Sequence, residues 1–180
     1  MMQDFLQYIG ALTKSDRTQI TGHTHRKDLQ ILLESIAREM NLKIRIIHEP
    51  KRLDEYGAPD FKITQFELII GYVENKKLGD KLDETLKSDQ ITKYKSLSGN
   101  IILTDYLEWI WLKDGKIEDR KALCYLSDLD AHRFKPDAEK INQVHNLIKN
   151  FFSTAPEGIA NPKKLATALA TRAQLLKTYL

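Results

Sequence analysis

Two carboxylates and a lysine recur at a spacing that suits metal-assisted hydrolysis. Asp60 follows Pro59, and thirteen residues separate it from Glu74, which is followed two positions later by Lys76. Side chains two residues apart on a strand point to the same side, so Glu74 and Lys76 share a face. A neighbouring strand that begins at Asp60 would bring all three residues to one edge of a sheet. Two carboxylates can hold Mg²⁺ and leave waters in place, while a lysine can orient or activate the attacking water and stabilise the charge of a phosphorane. The pattern indicates a site able to hydrolyse a phosphodiester; its alternative is a solvated strand end.

A second pair of polar residues follows at helical spacing. Gln90 and Tyr94 are separated by four positions, which places them on one face of a helix. They belong with the first group if that helix packs beside the strand ends. The alternative is that Tyr94 is half-buried core and Gln90 is surface.

The elements that must position these residues can be read from hydrophobic periodicity. Strands are predicted at 43–48, 61–64, 66–74, 100–104, 107–112 and 117–126. Helices are predicted at 4–12, 27–40, 78–86, 89–97, 137–152 and 163–180. This order predicts an α/β fold, with a mixed sheet flanked by helices and no regular βαβ alternation. Trp109 and Trp111 are expected in the core or at a domain interface, and Cys124 as a buried residue of the last strand.

Composition limits the class of protein. The 180 residues are 42% hydrophobic and 29% charged, with a net charge of +3, which fits a globular domain and excludes both a disordered chain and a histone-like polycation. One cysteine excludes an intramolecular disulfide framework and a multi-cysteine zinc site. We find no secretory signal or membrane-spanning run, and therefore expect a cytoplasmic protein. The expected organisation is a domain over residues 1–155, followed by a linker and helix over 156–180 that lead to a missing or partner domain.

Several segments together resemble a known family. They are GAPDFKI, IIGYVENKKLG, LDETLKSDQITKYKSLSGNIILTDYLEWIWLKDG and LATALA. They are similar to the N-terminal PD-(D/E)xK nuclease region of large single-chain restriction-modification enzymes, in which the nuclease is fused to an adenine-specific DNA methyltransferase. The resemblance spans residues 20–180 and is close at 57–115.

The resemblance implies a restriction-endonuclease-like fold with C-terminal helices and Mg²⁺-dependent cleavage of double-stranded DNA, with Mn²⁺ able to substitute. It assigns Asp60 and Glu74 to the metal, Lys76 to catalysis, and Gln90 and Tyr94 to the motif after the active-site strands. The expected partner is a methyltransferase and target-recognition portion of the same or a neighbouring chain. The sequence itself has no Walker A motif and no methyltransferase motif.

The sequence departs from the family at one place. Family members usually carry a Thr-Glu-His-Ser/Thr-Tyr-Arg-like stretch, whose glutamate is thought to add to the metal site, whereas residues 21–26 here read TGHTHR, with Gly22 at the acidic position. Metal binding then rests on Asp60 and Glu74, or another group such as Glu34 substitutes. His23 and His25 are either residues near the metal or the DNA, or parts of a solvated loop, and we favour the solvated loop.

Three functions remain open. The chain is a DNA endonuclease domain, or an inactive nuclease-fold module that binds DNA or a partner protein, or a nuclease that acts on RNA. A group of lysines near the motif fits either phosphate contacts or a solvated helix face. Its members are Lys76, Lys77, Lys81, Lys87, Lys93 and Lys95. Because the chain has no helix-turn-helix or arginine-rich recognition helix, we expect weak DNA binding with little sequence preference.

Overall fold

The computed structural model describes residues 1–14, 23–48, 58–130 and 135–155. Its helices are α1 (Met2–Lys14), α2 (Arg26–Glu39), α3 (Leu82–Leu86), α4 (Asp89–Leu97), α5 (Leu126–Asp130) and α6 (Ala138–Phe152). Its strands are β1 (Ile44–His48), β2 (Phe61–Gln65), β3 (Leu68–Asn75), β4 (Asn100–Thr104), β5 (Glu108–Lys113) and β6 (Lys116–Ala122). Among these described helices, none is long and apolar enough to cross a membrane.

The six strands form one mixed sheet in the order β1-β2-β3-β4-β5-β6. Neighbouring strands are antiparallel except β3 and β4, which run parallel. The parallel pair needs a long connection, and α3 and α4 supply it. The predicted mixed α/β sheet with flanking helices is confirmed.

Helices cover both faces of this sheet because its central strands alternate two sets of apolar residues. Ile102, Trp109 and Trp111 pack in the larger core with α1, α2 and α6. Residues one position away, such as Leu103 and Ile110, pack in a smaller core with Ile91 and Tyr94 of α4. This period of two is what a strand buried on both faces requires. Both tryptophans were expected in the core or at a domain interface, and the structure places both in the core.

Buried polar contacts fix the centre of the sheet. The Asn100 amide donates to the carbonyls of Ile70 (2.9 Å) and Phe151 (3.1 Å) and accepts from Trp111 Nε1 (2.7 Å). A side chain at Gly71 would place its Cβ 2.3 Å from the Asn100 carbonyl oxygen, so only glycine allows this approach of β3 to β4. One asparagine thus joins β3, β4, β5 and α6.

Several predicted boundaries were wrong. The predicted strand over 117–126 ends at Ala122, because the chain turns there and begins α5 at Leu126. Cys124 is therefore outside the strand, although it is buried as expected. The predicted helix at 78–86 begins only at Leu82. The predicted linker at 156–162 and the helix at 163–180 lie outside the described residues.

Candidate active site

The pairing of β2 with β3 brings Asp60 opposite Glu74. Phe61 pairs with Val73 in this antiparallel pair, so Asp60, which precedes Phe61, lies opposite Glu74, which follows Val73. The Asp60 backbone N–H donates to Glu74 Oε2 (3.3 Å), and the Asn75 backbone N–H donates to Asp60 Oδ2 (2.9 Å). The two carboxylates are therefore positioned by main-chain atoms, at the end of two interior strands and not on an edge strand.

Lys76 lies beside Glu74 as the strand geometry predicts. Its backbone N–H donates to the Thr104 carbonyl (2.8 Å), which continues the β3–β4 pairing one residue past the end of β3. The chain therefore stays extended, and Lys76 Nζ reaches Glu74 Oε1 at 2.7 Å. Glu74 is 4% exposed, whereas the Lys76 side chain keeps 21% of its surface in water. The ammonium group is thus held by a buried carboxylate and remains accessible.

Successive turns of α4 add Gln90 and Tyr94 to this group. The Gln90 amide donates to Glu74 Oε1 (3.0 Å) and to the Tyr94 hydroxyl (3.0 Å) and accepts from Lys76 Nζ (2.7 Å). The helix is fixed there by its N-cap, Ser88, whose hydroxyl accepts from the Ile91 N–H (3.4 Å). Tyr94 is buried, and Gln90 is exposed yet bonded to three of its neighbours. The structure thus brings all five predicted residues together.

Arg26 is a member of the site that sequence reasoning missed. It begins α2, and its Nη2 donates to Asp60 Oδ1. Each of the two side chains is only 12% exposed. The available signal was its place at the end of the stretch TGHTHR, directly after the two histidines considered as site residues.

Tyr106 was missed as well. It follows β4 with a φ of 76°, a left-handed conformation that a bulky residue adopts at a cost. This geometry lets its hydroxyl accept from the Asn75 amide (2.7 Å) while its carbonyl accepts from the Tyr8 hydroxyl (2.9 Å). The signal was the run NIILTDY, in which a polar pair follows a buried strand at the same sheet end as Glu74.

The loops around the site are joined by one buried carboxylate. Asp105 accepts from the backbone N–H groups of Gly79, Leu107 and Glu108, at 3.2, 3.0 and 2.6 Å. Gly79 has a φ of +82°, which glycine adopts without strain. Burial raises the pKa of Asp105 to about 6. These contacts hold the segment after Lys76 against the end of β4.

Burial controls the electrostatics of the two central acids. It raises the pKa of Asp60, against the lowering effects of the Asn75 N–H and the Arg26 charge. It also raises the pKa of Glu74, and the nearby charge of Asp60 raises it further, while Lys76 lowers it. Burial beside Glu74 raises the pKa of Tyr94 to about 12, so this hydroxyl stays protonated at neutral pH. Two carboxylates held together in a poorly solvated place each need a cation nearby, and Arg26 and Lys76 lie beside them.

The donor set fits Mg²⁺. Asp60 and Glu74 offer hard carboxylate oxygens, and Mg²⁺ is commonly held by one or two carboxylates with waters and substrate phosphates completing its shell. Within the described ranges, no group of three or more His, Cys, Asp and Glu residues is arranged to hold a metal ion. The site therefore suits a metal that keeps several waters, and not a closed structural zinc centre.

The other candidates have varied positions. His25 is buried, not solvated as we expected: its Nδ1 lies 3.2 Å from Asp28 Oδ2, and its ring meets Tyr106 edge-on at 5.5 Å. His23 is exposed. Glu34 accepts from Gln30 (2.6 Å) on its own helix. Gly22 lies outside the described residues.

Of the lysines near the motif, most are solvent-facing. Lys81 forms an exposed ion pair with Glu84 at 3.7 Å, and Lys77, Lys87 and Lys93 are exposed. The arrangement of these lysines fits both phosphate contacts and a solvated helix face.

Comparisons with known proteins bear on the fold. No protein-family model matches the chain, and no curated protein matches it either. A cryo-EM structure of a DrdV–DNA complex is similar, with 20% sequence identity and a TM-score of 0.64 over 91% of this chain and 15% of that chain. The chain thus corresponds to a small part of that longer protein. At this identity the likeness concerns the fold alone, and it shows that the chain has a restriction-endonuclease-like fold.

Proposed function

We propose that this chain is a Mg²⁺-dependent DNA endonuclease domain of the PD-(D/E)xK type, the cleavage module of a restriction-modification enzyme. The observation that carries the proposal is the convergence of Asp60, Glu74 and Lys76 with Gln90 and Tyr94 at one end of the sheet. The fold alone would not carry it, because one fold hosts many functions. The DNA in the similar complex supports DNA as the substrate class.

In this proposal each side chain has a defined task. Asp60 and Glu74 hold the metal through carboxylate oxygens that backbone N–H groups already orient. A bound Mg²⁺ would supply positive charge against the phosphate oxygens and lower the pKa of a coordinated water. Lys76, fixed by Glu74 and Gln90, orients the attacking water and stabilises the charge that develops on the phosphate. Gln90, supported by Tyr94, holds the side chains of Glu74 and Lys76 in position.

A plasmid assay tests this function. Supercoiled DNA is incubated with the chain in Mg²⁺, in Mn²⁺ and in EDTA, and nicked and linear products are measured. We expect cleavage in both metals, none in EDTA, and a loss of about 10²-fold or more in Glu74→Gln. Glu84→Gln is the matched control, since Glu84 is exposed and its ion pair with Lys81 is exposed as well. Equal cleavage by the parent and Glu74→Gln would refute the assignment. The same assay with an RNA substrate tests whether the chain is instead a nuclease that acts on RNA.

The inactive module remains the second candidate because Gly22 stands at the position where the family that the sequence resembles usually carries a glutamate. If the parent binds DNA but cuts nothing, Gly22→Glu distinguishes the two candidates. Restored cleavage would show that the missing acid was the defect. A variant that still binds and still fails to cut would favour a binding module.

The proposal also covers the partner domains of this chain and its location in the cell. We propose that the cleavage domain over residues 1–155 works with a methyltransferase and target-recognition portion, joined through residues 156–180, in the cytoplasm. The similar protein is much longer than this chain, which supports such an arrangement. Co-purification of the chain with the protein encoded beside it would test the link.

A further inference from the structure

The position of Arg26 supports an inference about how the site binds its metal ion. We propose that the Arg26 guanidinium and the divalent cation compete for Asp60, so that Arg26 sets the metal affinity of the site. This inference rests on the metal-dependent function proposed above. It concerns a residue of α2, outside the strands that carry the predicted motif.

The two oxygens of Asp60 have different partners. Oδ2 accepts the backbone N–H of Asn75 at 2.9 Å, a contact made by the sheet itself. Oδ1 accepts from Arg26 Nη2. The Asn75 N–H is held in place by the sheet, whereas the Arg26 guanidinium lies at the end of a long side chain with several rotatable bonds. Oδ1 is therefore the Asp60 oxygen that an arriving cation can take over, and it is the atom that Arg26 holds.

Charge balance gives the same result. Glu74 is paired with Lys76, and Asp60 is paired with Arg26, so the two buried carboxylates already have one cation each. A divalent cation added to this neutral group would leave two excess positive charges in a place with little water, which is unfavourable. Release of Arg26 from Asp60 Oδ1 would remove one of these charges and make that carboxylate oxygen available to the metal.

Arg26 occupies a position where the helix dipole does not favour a cation. The N-terminus of a helix carries partial positive charge, so a cation in the first turn is unfavourable there. Asp28, in the same first turn, is the residue whose charge suits this end of the helix. The contact with Asp60 accounts for an arginine at this position, since a guanidinium matches a carboxylate well and binds it strongly where water is scarce.

Metal titration without DNA tests the proposal. Mn²⁺ binding is measured by calorimetry for the parent, Arg26→Gln, Arg26→Lys and the matched control Lys27→Gln, which removes one exposed positive charge from the same end of α2. We expect Arg26→Gln to tighten Mn²⁺ binding by about tenfold or more, the factor that corresponds to the loss of one charge-assisted hydrogen bond. Arg26→Lys should fall between the parent and Arg26→Gln, and Lys27→Gln should stay within about twofold of the parent. Damage to the site would weaken binding, so the direction of the change separates competition from misfolding.

A second measurement keeps the test decisive. Without metal, Arg26→Gln should unfold at a lower temperature than the parent, and Mn²⁺ should raise its unfolding temperature by more than it raises that of the parent. Asp60→Asn should abolish the Mn²⁺ response in both backgrounds. Unchanged or weaker Mn²⁺ binding by Arg26→Gln, with binding still dependent on Asp60, would overturn this inference and leave the metal site standing. Absence of any Asp60-dependent binding in every variant would overturn the proposed metal-dependent function and this inference with it.

Discussion

Replacement of Lys76 by alanine is the substitution that best separates catalysis from folding. The Lys76 ammonium donates to Glu74 and to Gln90, each at 2.7 Å, and its side chain is 21% exposed. Loss of one positioned donor at a developing charge lowers a reaction rate by about 10²–10³-fold, or roughly 3–4 kcal/mol of transition-state stabilisation. We therefore expect Lys76→Ala to cut DNA about 10²–10³ times more slowly than the parent at saturating Mg²⁺.

The same substitution should cost far less stability. It removes one ion pair from Glu74, and the Gln90 amide still donates to that carboxylate at 3.0 Å. The expected loss is about 1–2 kcal/mol of unfolding free energy, well within the stability of an ordinary domain. The protein should remain folded at 25 °C while its activity falls.

Single-turnover cleavage and urea unfolding measure the two effects side by side. Lys116→Ala is the control, because Lys116 is an exposed residue of the β5–β6 hairpin. It should match the parent in both measurements. Cleavage by Lys76→Ala within about threefold of the parent would refute the catalytic role. A loss of rate that merely follows a loss of folded protein would refute it as well.

Three further predictions concern stability and binding. Asn100→Ala should lower the unfolding free energy in urea by about 2–4 kcal/mol, because it leaves buried partners such as Trp111 Nε1 unsatisfied; a loss under 1 kcal/mol would contradict this. The pKa of Asp105 in the folded chain is about 6, above its ordinary value near 4. Between pH 4 and 6 the folded chain therefore binds more protons than the unfolded chain. Its unfolding free energy should fall by roughly 2 kcal/mol as the pH rises from 4 to 6. Asp105→Asn should flatten that part of the profile in urea titrations at several pH values, and an unchanged slope would contradict the assignment. Titration of unrelated duplexes at two salt concentrations should give dissociation constants on the order of 10⁻⁴ to 10⁻⁶ M that weaken with salt, whereas one duplex bound a thousandfold tighter would show sequence readout.

Local patterns in the sequence predicted the strands and helices that surround the site. The spacing of Leu29, Leu32, Leu33 and Ile36 gives α2 a single buried stripe, and these residues are buried in the structure. The i, i+2 relation of Glu74 and Lys76 and the i, i+4 relation of Gln90 and Tyr94 are likewise local, and the side chains meet as those spacings require. Such relations depend on backbone geometry that a few neighbouring residues determine.

The hairpin between β2 and β3 shows where local patterns are insufficient. Its turn is formed by Phe66 and Glu67, with φ values of 51° and 65°. Both angles are typical of a two-residue hairpin turn, but neither residue is one that favours them. Pairing of Gln65 with Leu68 across this turn imposes the conformation. Sequence periodicity therefore placed the start of the second strand too early, at residue 66.

Contacts between distant residues explain the remaining misses. Arg26 meets Asp60 across 34 positions of sequence, and Tyr8 meets the Tyr106 carbonyl across 98. No spacing rule connects such residues, because only the packing of α1 and α2 against the sheet brings them together. His25 was expected in solvent for the same reason, yet it is buried against Tyr106.

Anomalous diffraction from crystals grown with Mn²⁺ would test the central claim most directly. The account holds that Asp60 and Glu74 form one metal site at the end of β3. It predicts a manganese peak that contacts a carboxylate oxygen of each residue, at about the 2.0–2.2 Å typical of hard oxygen ligands. A manganese peak bound elsewhere, or none beside these two carboxylates at millimolar Mn²⁺, would contradict it.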